Sequence, residues 1–229
     1  MYYLVLALLL TFFPVRAFAT TYYVDGVNGN NSNSGTSPAS AWQTISKVNS
    51  LSFSSGDTIL FHGGQTWREE IQPTTLNGSV NNPITFGVYS ASSGAVIING
   101  SDLITGWSAV SGDSNPVYQA TESTQPHAVY VDGNYQAPTW PLQQACCRDG
   151  SSCSPTGTCA IGPMTAGSWY WTSSTLYVWL SGGANPSSHG IEGSTRLAGF
   201  LANGGDGSFS YITINLDFRA VHIKHYPSR

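Results

Sequence analysis

The residues best suited to chemistry stand in one run, SYITINLDFRAVHIKHY, residues 210–226. Asp217, Arg219, His222, Lys224 and His225 lie close together there, and Lys224 is one of only two lysines in the chain. β-Elimination beside a carboxylate needs a cation or proton donor to neutralise the acid. It also needs a base of the Lys, Arg, Tyr or His type, and a donor for the leaving oxygen. On a strand His222 and Lys224 share a face. Lys224, His222 and Arg219 are therefore candidate catalytic residues, and Asp217 is a candidate cation ligand. The competing reading is the polar outer face of an ordinary strand, which alternates in the same way.

Other clusters admit chemistry too. The loop 25–36, DGVNGNNSNSGT, is rich in oxygen donors, so Asp25, Asn28, Asn30 and Ser32 are candidate calcium ligands. The same residues build Asx and glycine turns, and the loop lacks the EF-hand spacing and its closing Glu. Arg68, Glu69 and Glu70 place two carboxylates beside a guanidinium. If they lie on a strand, Glu69 and Glu70 point to opposite faces and Arg68 pairs with one of them. His62, at a strand end, reads as a structural or surface histidine rather than a general base. The cysteines, Cys146, Cys147, Cys153 and Cys159, all fall within CCRDGSSCSPTGTC. In an exported chain they form two local disulfides. Adjacent residues rarely meet disulfide geometry, which leaves 146–153 with 147–159, or 146–159 with 147–153. A zinc site is the rival, but paired C-x-x-C spacing and a nearby His are missing.

The elements that position these residues are short. From Gly56 to Ser101 four apolar runs, 58–61, 70–72, 83–88 and 95–98, are each closed by Gly, Asn, Ser or Pro, which is strand and turn punctuation. Ile59 and Thr85, and Ile71 and Ile97, lie 26 positions apart (59 to 85, 71 to 97). A repeat of that size without helices implies a solenoid whose coils cover one another. Residues 40–51 read as a helix, with Ser40 and Gln43 as a capping box and Trp42, Ile45, Val48 and Leu51 as an apolar stripe. Trp169–Thr172 and Leu176–Leu180 alternate around Ser173-Ser174 as a hairpin. VYVDGNYQ, residues 129–136, echoes YYVDGVNG, residues 22–29, through a shared Asp-Gly turn.

On GDTILFHGGQTWREEI, NNPITFGVY and AVIINGSD, the chain resembles the first coils of secreted right-handed parallel β-helix proteins of the pectate lyase-like superfamily. The resemblance runs over residues 21–226. It implies an all-β fold: a right-handed parallel β-helix with an N-terminal capping helix and a small antiparallel β insertion. It implies residues 1–19 as a signal peptide, 20–101 as cap and first coils, 102–205 as the insertion with its disulfide loop, and 206–229 as the resumed, truncated β-helix. It also implies a polysaccharide partner, acidic in many members, with catalytic residues on later coils. The expected function is the N-terminal portion of a carbohydrate-active protein, polysaccharide lyase-like or glycoside hydrolase-like when complete. The alternatives are a non-catalytic glycan-binding or surface scaffold module, or an inactive remnant.

Bulk properties bound the rest. Only 9% of the 229 residues are charged, the net charge is −4, and 25 glycines accompany 41% apolar residues. Such a chain is globular and turn-rich, and it lacks the basic stripe that nucleic acid requires. No G-x-S-x-G, P-loop, G-x-G-x-x-G or H-E-x-x-H motif is present. No motif calls for an organic cofactor, and calcium is the ion that the oxygen-rich loop suggests. Seven tryptophans offer either sugar-stacking faces or core packing. Tyr2–Val15 is apolar but short, and Ala17-Phe18-Ala19 is a small–x–small cleavage site. Secretion is therefore expected, with no membrane segment left after cleavage. Three N-x-S sequons, at Asn30, Asn77 and Asn99, fall where turns are expected. The intact mass of the exported protein is expected to begin at Thr20, with all four cysteines refusing alkylation until reduced. Free thiols in the unreduced protein would contradict the disulfide reading.

Overall fold

The computed structural model describes residues 18–133, 141–148, 161–196 and 199–200. Residues 161–162 and the strands at 209–210, 212–214 and 217–219 are described as backbone only. The first half is a β-solenoid with three faces. β1 (Thr21–Val24) precedes α1 (Ile45–Asn49), and the first full coil follows as β2 (Ser52–Ser54), β3 (Thr58–His62) and β4 (Thr66–Trp67). The next coil repeats it with β5 (Thr75–Asn77), β6 (Ile84–Tyr89) and β7 (Ile97–Asn99). Strands stack in parallel, β2 on β5, β1 on β3 on β6, and β4 on β7. Each coil turns three times, so no strand exceeds a few residues and no crossover helix is needed.

Between these faces lies one core. Val24, Phe53, Ile59, Phe61, Trp67, Leu76, Ile84, Phe86 and Ile98 are all buried in it. The register differs from the 26-residue spacing. Ile59 stacks on Phe86, and Thr58 on Thr85, an offset of 27 (58 to 85). Moving a strand by one residue sends its side chains to the opposite face, so buried Phe86 takes the inward place that a strict 26-residue repeat gives Thr85. Ile97 stacks on Thr66 rather than Ile71. Turns of unequal length absorb the difference. Gly64 shows how tight they are: at φ +76°, an added Cβ would lie 2.2 Å from the Ser93 carbonyl oxygen.

The segment 70–72 is not a strand. Its backbone is taken by other partners: Asn49 donates to the Glu70 carbonyl at 2.8 Å and accepts from the Gln72 N–H at 2.7 Å. The Ile71 N–H donates to Gly199. The helix is also shorter than its stripe. α1 begins after Thr44, whose Oγ1 accepts from the Lys47 N–H at 3.1 Å. Ser40 instead ends a 3₁₀ turn, Pro38–Ser40, boxed with Ser37. Asn31 Oδ1 accepts the N–H groups of both Gln43 and Thr44, which holds that stretch extended. Trp42 then bridges to Val24 and stacks on Tyr22 at 4.9 Å. Ile45 and Val48 still enter the coil core as the stripe requires.

The insertion starts directly from β7. β8 (Ser101–Ile104), β9 (Ser108–Ala109), β10 (Tyr118–Thr121), β11 (Ala128–Val131), β12 (Gln143–Cys147), β13 (Ile161–Pro163), β14 (Ser168–Thr172), β15 (Thr175–Trp179) and β16 (Ile191–Ser194) form two sheets, β13-β12-β14-β15-β10-β9 and β11-β16-β8. Pairing is antiparallel except where β12 meets β13 and β14. Ile104, Val129, Trp169, Leu176, Val178 and Ile191 make its core. Ser173 and Ser174 sit at φ 49° and 61°, the twin left-handed geometry of a two-residue hairpin turn. Afterwards β17 (Phe209–Ser210), β18 (Ile212–Ile214) and β19 (Asp217–Arg219) lie on β5, β6 and β7. The alternating run expected as one strand from Ser210 therefore divides among all three faces. Among the described residues no helix is long and apolar enough to cross a membrane.

Phe86 contacts the coil above and the coil below, edge-on to Phe53 at 6.5 Å and to Phe200 at 5.2 Å. Phe86→Ala should cost about 3–5 kcal/mol through lost transfer energy and the cavity it leaves. Urea unfolding of the purified chain measures this, and a cost below about 1 kcal/mol would contradict the stacking.

Candidate functional site

At the end of β1 the chain leaves the sheet, and Asp25 holds the departing loop. Its Oδ1 accepts the Val27 N–H at 3.0 Å, the Asn28 N–H at 2.9 Å and Gln65 Nε2 at 2.8 Å. Its Oδ2 accepts Asn28 Nδ2 at 3.3 Å. Gln65 returns the contact, accepting the Gly26 N–H at 2.6 Å. Burial opposes the carboxylate charge, but the donors from Asn28, Gln65 and Val27 outweigh it and bring the pKa down to about 2. The oxygen atoms expected to ligate calcium thus serve as acceptors for the loop itself. Asn28 turns its amide nitrogen toward Asp25, and Asn30 Oδ1 accepts the Ser32 N–H at 2.9 Å. Asp217 lies over Ile97 on a different face of the coil. Asp25 and Asn28 thus stand in contact, with the Asp217 backbone on another face. Among the described residues no group of three or more His, Cys, Asp or Glu side chains is placed to hold a metal.

Glu69 and Arg68 serve different parts of the fold. Glu69 reaches α1, accepting the Ile45 N–H at 3.2 Å and the Ser46 N–H at 2.6 Å, and so serves donors that a helix start leaves open. Arg68 turns to a partner far along the chain. It reaches Glu192 in the insertion, Nη2 to Oε1 at 2.7 Å, and donates to the Ser101 carbonyl at 3.0 Å. Glu192 Oε2 accepts from Ser101 Oγ at 2.6 Å and Asn99 Nδ2 at 3.2 Å. The Glu192 side chain is 8% exposed and Arg68 is 35% exposed. Sequence reasoning missed Glu192, and its only local signal is a lone acid between Ile191 and Gly193. Asn99, expected in a turn as a sequon, ends β7 and is buried in this network.

His62 packs at the end of β3. Its Nδ1 lies 2.8 Å from the Gly63 carbonyl oxygen, and its ring stands edge-on to Tyr89 at 5.0 Å. The Tyr89 hydroxyl is buried without a hydrogen-bond partner among the described residues. Burial, then the nearby Asp25 and Tyr23, push its pKa up to about 12. Asp132, in the echo of the Asp25 turn, accepts the Gly190 N–H at 2.8 Å and pairs with His189 Nδ1 at 2.8 Å. The His189 hydrogen bond, followed by that from Gly190, lowers its pKa.

Beside Asp25, the loop after β1, the start of α1 and the turn entering β4 enclose an open cleft of about 500 Å³. Val27, Gln43, Gly64, Thr66, Arg68 and Glu69 line it. Trp67 lies beneath, buried, with Nε1 donating to the Gln43 carbonyl at 3.2 Å. Other tryptophans are likewise engaged in packing. Trp169 and Trp171 donate to the carbonyls of Leu142 and Glu122. Of the candidate catalytic residues, Arg219 is placed only through its backbone, opposite Asn99. His222, Lys224, Trp140, Cys153 and Cys159 lie outside the described residues.

No family model matches the chain. A stretch of 73 residues, 31% of the chain, is 33% identical to a lacto-N-biosidase of Bifidobacterium longum subsp. longum. The chain covers 5% of that relative's length. Among solved structures, XylC in complex with xylose matches with a TM-score of 0.61 at 19% identity, over 88% of this chain and 36% of its own. A glycoside hydrolase matches with a TM-score of 0.55 at 11% identity, over 89% of this chain and 51% of its own. These two likenesses establish the shared β-helix fold.

The Asp25 clamp has a pH signature. Its folded pKa, about 2, lies below the ordinary 3.8. Its stabilisation, about 2 kcal/mol, is therefore complete above about pH 4 and is lost as pH falls toward 2. Asp25→Asn should lower stability at pH 7 and remove that part of the acid dependence, as followed by tryptophan fluorescence during denaturant unfolding. An unchanged acid limb would contradict the clamp.

Proposed function

We propose that these coils and their insertion belong to a secreted carbohydrate-active protein of the pectate lyase-like superfamily, glycoside hydrolase-like in its complete form. The observation that carries this reading is the 33% identity with lacto-N-biosidase over 73 residues. The glycoside hydrolase-like option is preferred to the lyase-like one for the same reason. Because the chain covers so little of that relative, the activity of the whole protein is part of the proposal.

In this reading the described residues bind and support rather than cut. Most glycosidases need two carboxyl groups flanking the scissile bond, one free to donate a proton and one to attack or to activate water. Here Asp25, Glu69 and Glu192 each accept structural hydrogen bonds. Asp57 likewise accepts the N–H groups of Thr20 at 2.8 Å and Ser54 at 2.8 Å. A carboxylate held in this way is a poor choice for moving protons during turnover. The bond-breaking groups are assigned to coils other than those described. The same engagement of carboxylates favours the second reading, a glycan-binding scaffold without catalysis.

The exported chain, residues 20–229, can be titrated calorimetrically against a panel of oligosaccharides, with released sugar followed by chromatography. Binding without release is the expected result. Release of sugar by this chain alone would move catalysis into it. Absence of binding across the panel would overturn the glycan reading.

A further inference from the structure

The cleft beside Asp25 carries both neutral and charged groups in its lining. Its lining offers two kinds of neutral contact. The Gln43 amide and the Thr66 hydroxyl are both exposed, and neither has a hydrogen-bond partner among the described residues. Val27 stands at the rim, 73% exposed, an aliphatic surface with no packing role in the core. A pyranose presents the matching pattern: an apolar C–H face beside hydroxyls that donate and accept. A cleft of this size suits a short oligosaccharide segment.

The charged groups set the selectivity. Arg68 is the one cation among the lining residues, and it is already committed to Glu192 and the Ser101 carbonyl. A uronate that drew Arg68 away would break its ion pair with the buried Glu192, an unfavourable exchange. Glu69 contributes a carboxylate to the lining, and the Asp25 carboxylate lies just behind Gly26. With Arg68 balanced by Glu192, the remaining local charge is negative. Lys47 does not line the cleft, and its ammonium sits over the Trp42 ring at 5.9 Å. We infer that this cleft is a subsite for uncharged glycan, built to take neutral sugar rings and to exclude uronates. The inference rests on the glycan-binding reading above and adds to it both a place and a substrate class. It departs from the acidic polymers that the sequence resemblance brings to mind.

The test compares neutral pentose and hexose oligomers with uronate oligomers of equal length, by calorimetry on residues 20–229 at low salt. A Gln43→Ala/Thr66→Ala double variant is measured alongside, with its fold checked by circular dichroism. Neutral oligomers should bind at least about tenfold more tightly than uronates. The difference should shrink as salt screens the carboxylates, and the double variant should lose about tenfold for the neutral ligands while staying folded. Uronates binding as well as or better than neutral oligomers would overturn the selectivity and leave glycan binding intact. Neutral binding that the double variant does not weaken would place the site elsewhere. No binding of any oligomer would overturn both readings together.

Discussion

A carboxylate with almost no access to water must find its partners inside the protein, and Glu192 finds them across a junction. It lies on β16 in the insertion. Arg68 comes from the turn after β4, while Asn99 and Ser101 come from the passage between β7 and β8. The insertion leaves the solenoid at this passage, so the network ties its last strand to the point of departure. β16 also pairs along β8, Ser194 opposite Ser101 and Ile191 opposite Ile104. The chain is thereby returned close to the face where β17, β18 and β19 resume the coil. Loss of any one partner exposes the others to the cost of unpaired burial.

The far end of the solenoid is closed by polar side chains acting on backbone. Asp25, Asn31, Asn49, Asp57 and Glu69 each accept or donate to groups that coil stacking leaves open. An open solenoid end carries unpaired N–H and C=O groups and exposed core. Here a five-residue helix covers the core with Ile45 and Val48, while the carboxylates and amides serve the backbone. This division explains why so much of the acidic inventory is structural. It also explains the cleft, which is the space left between the cap loop and the turn it is fastened to.

That inventory bears on function. Engaged carboxylates and internally bonded tryptophans are what leads the proposed function to give these coils a supporting and binding role. The groups left unengaged at the cleft, Gln43, Thr66 and Val27, are uncharged. In the proposed reading, glycan recognition by such a surface would depend on shape and hydroxyl pairing, with the nearby carboxylates acting mainly against anions.

The sequence by itself determined the class of structure. Short β-branched and aromatic runs closed by Gly, Asn and Ser can form strands and turns but leave no room for crossover helices. The 58–62 and 84–89 strands, the capping stripe of Ile45 and Val48 and the Ser173-Ser174 hairpin were all legible because each depends on neighbours close in the chain. The exact coil register was not legible, since turns of different length displace it and only the packing of Phe86 against Ile59 selects 27 over 26. The extent of the helix was decided by Asn31, which holds Gln43 and Thr44 extended from more than a turn away. The candidate site was the least legible part. Asp25 was legible as a candidate calcium ligand or turn former, but its pairing with Gln65 across 40 residues belongs to the fold. Arg68 met Glu192, 124 residues away, and no local pattern relates them. Local chemistry sets which strands and turns can form; long-range contact alone decides which charges are already satisfied and which surfaces are free to bind.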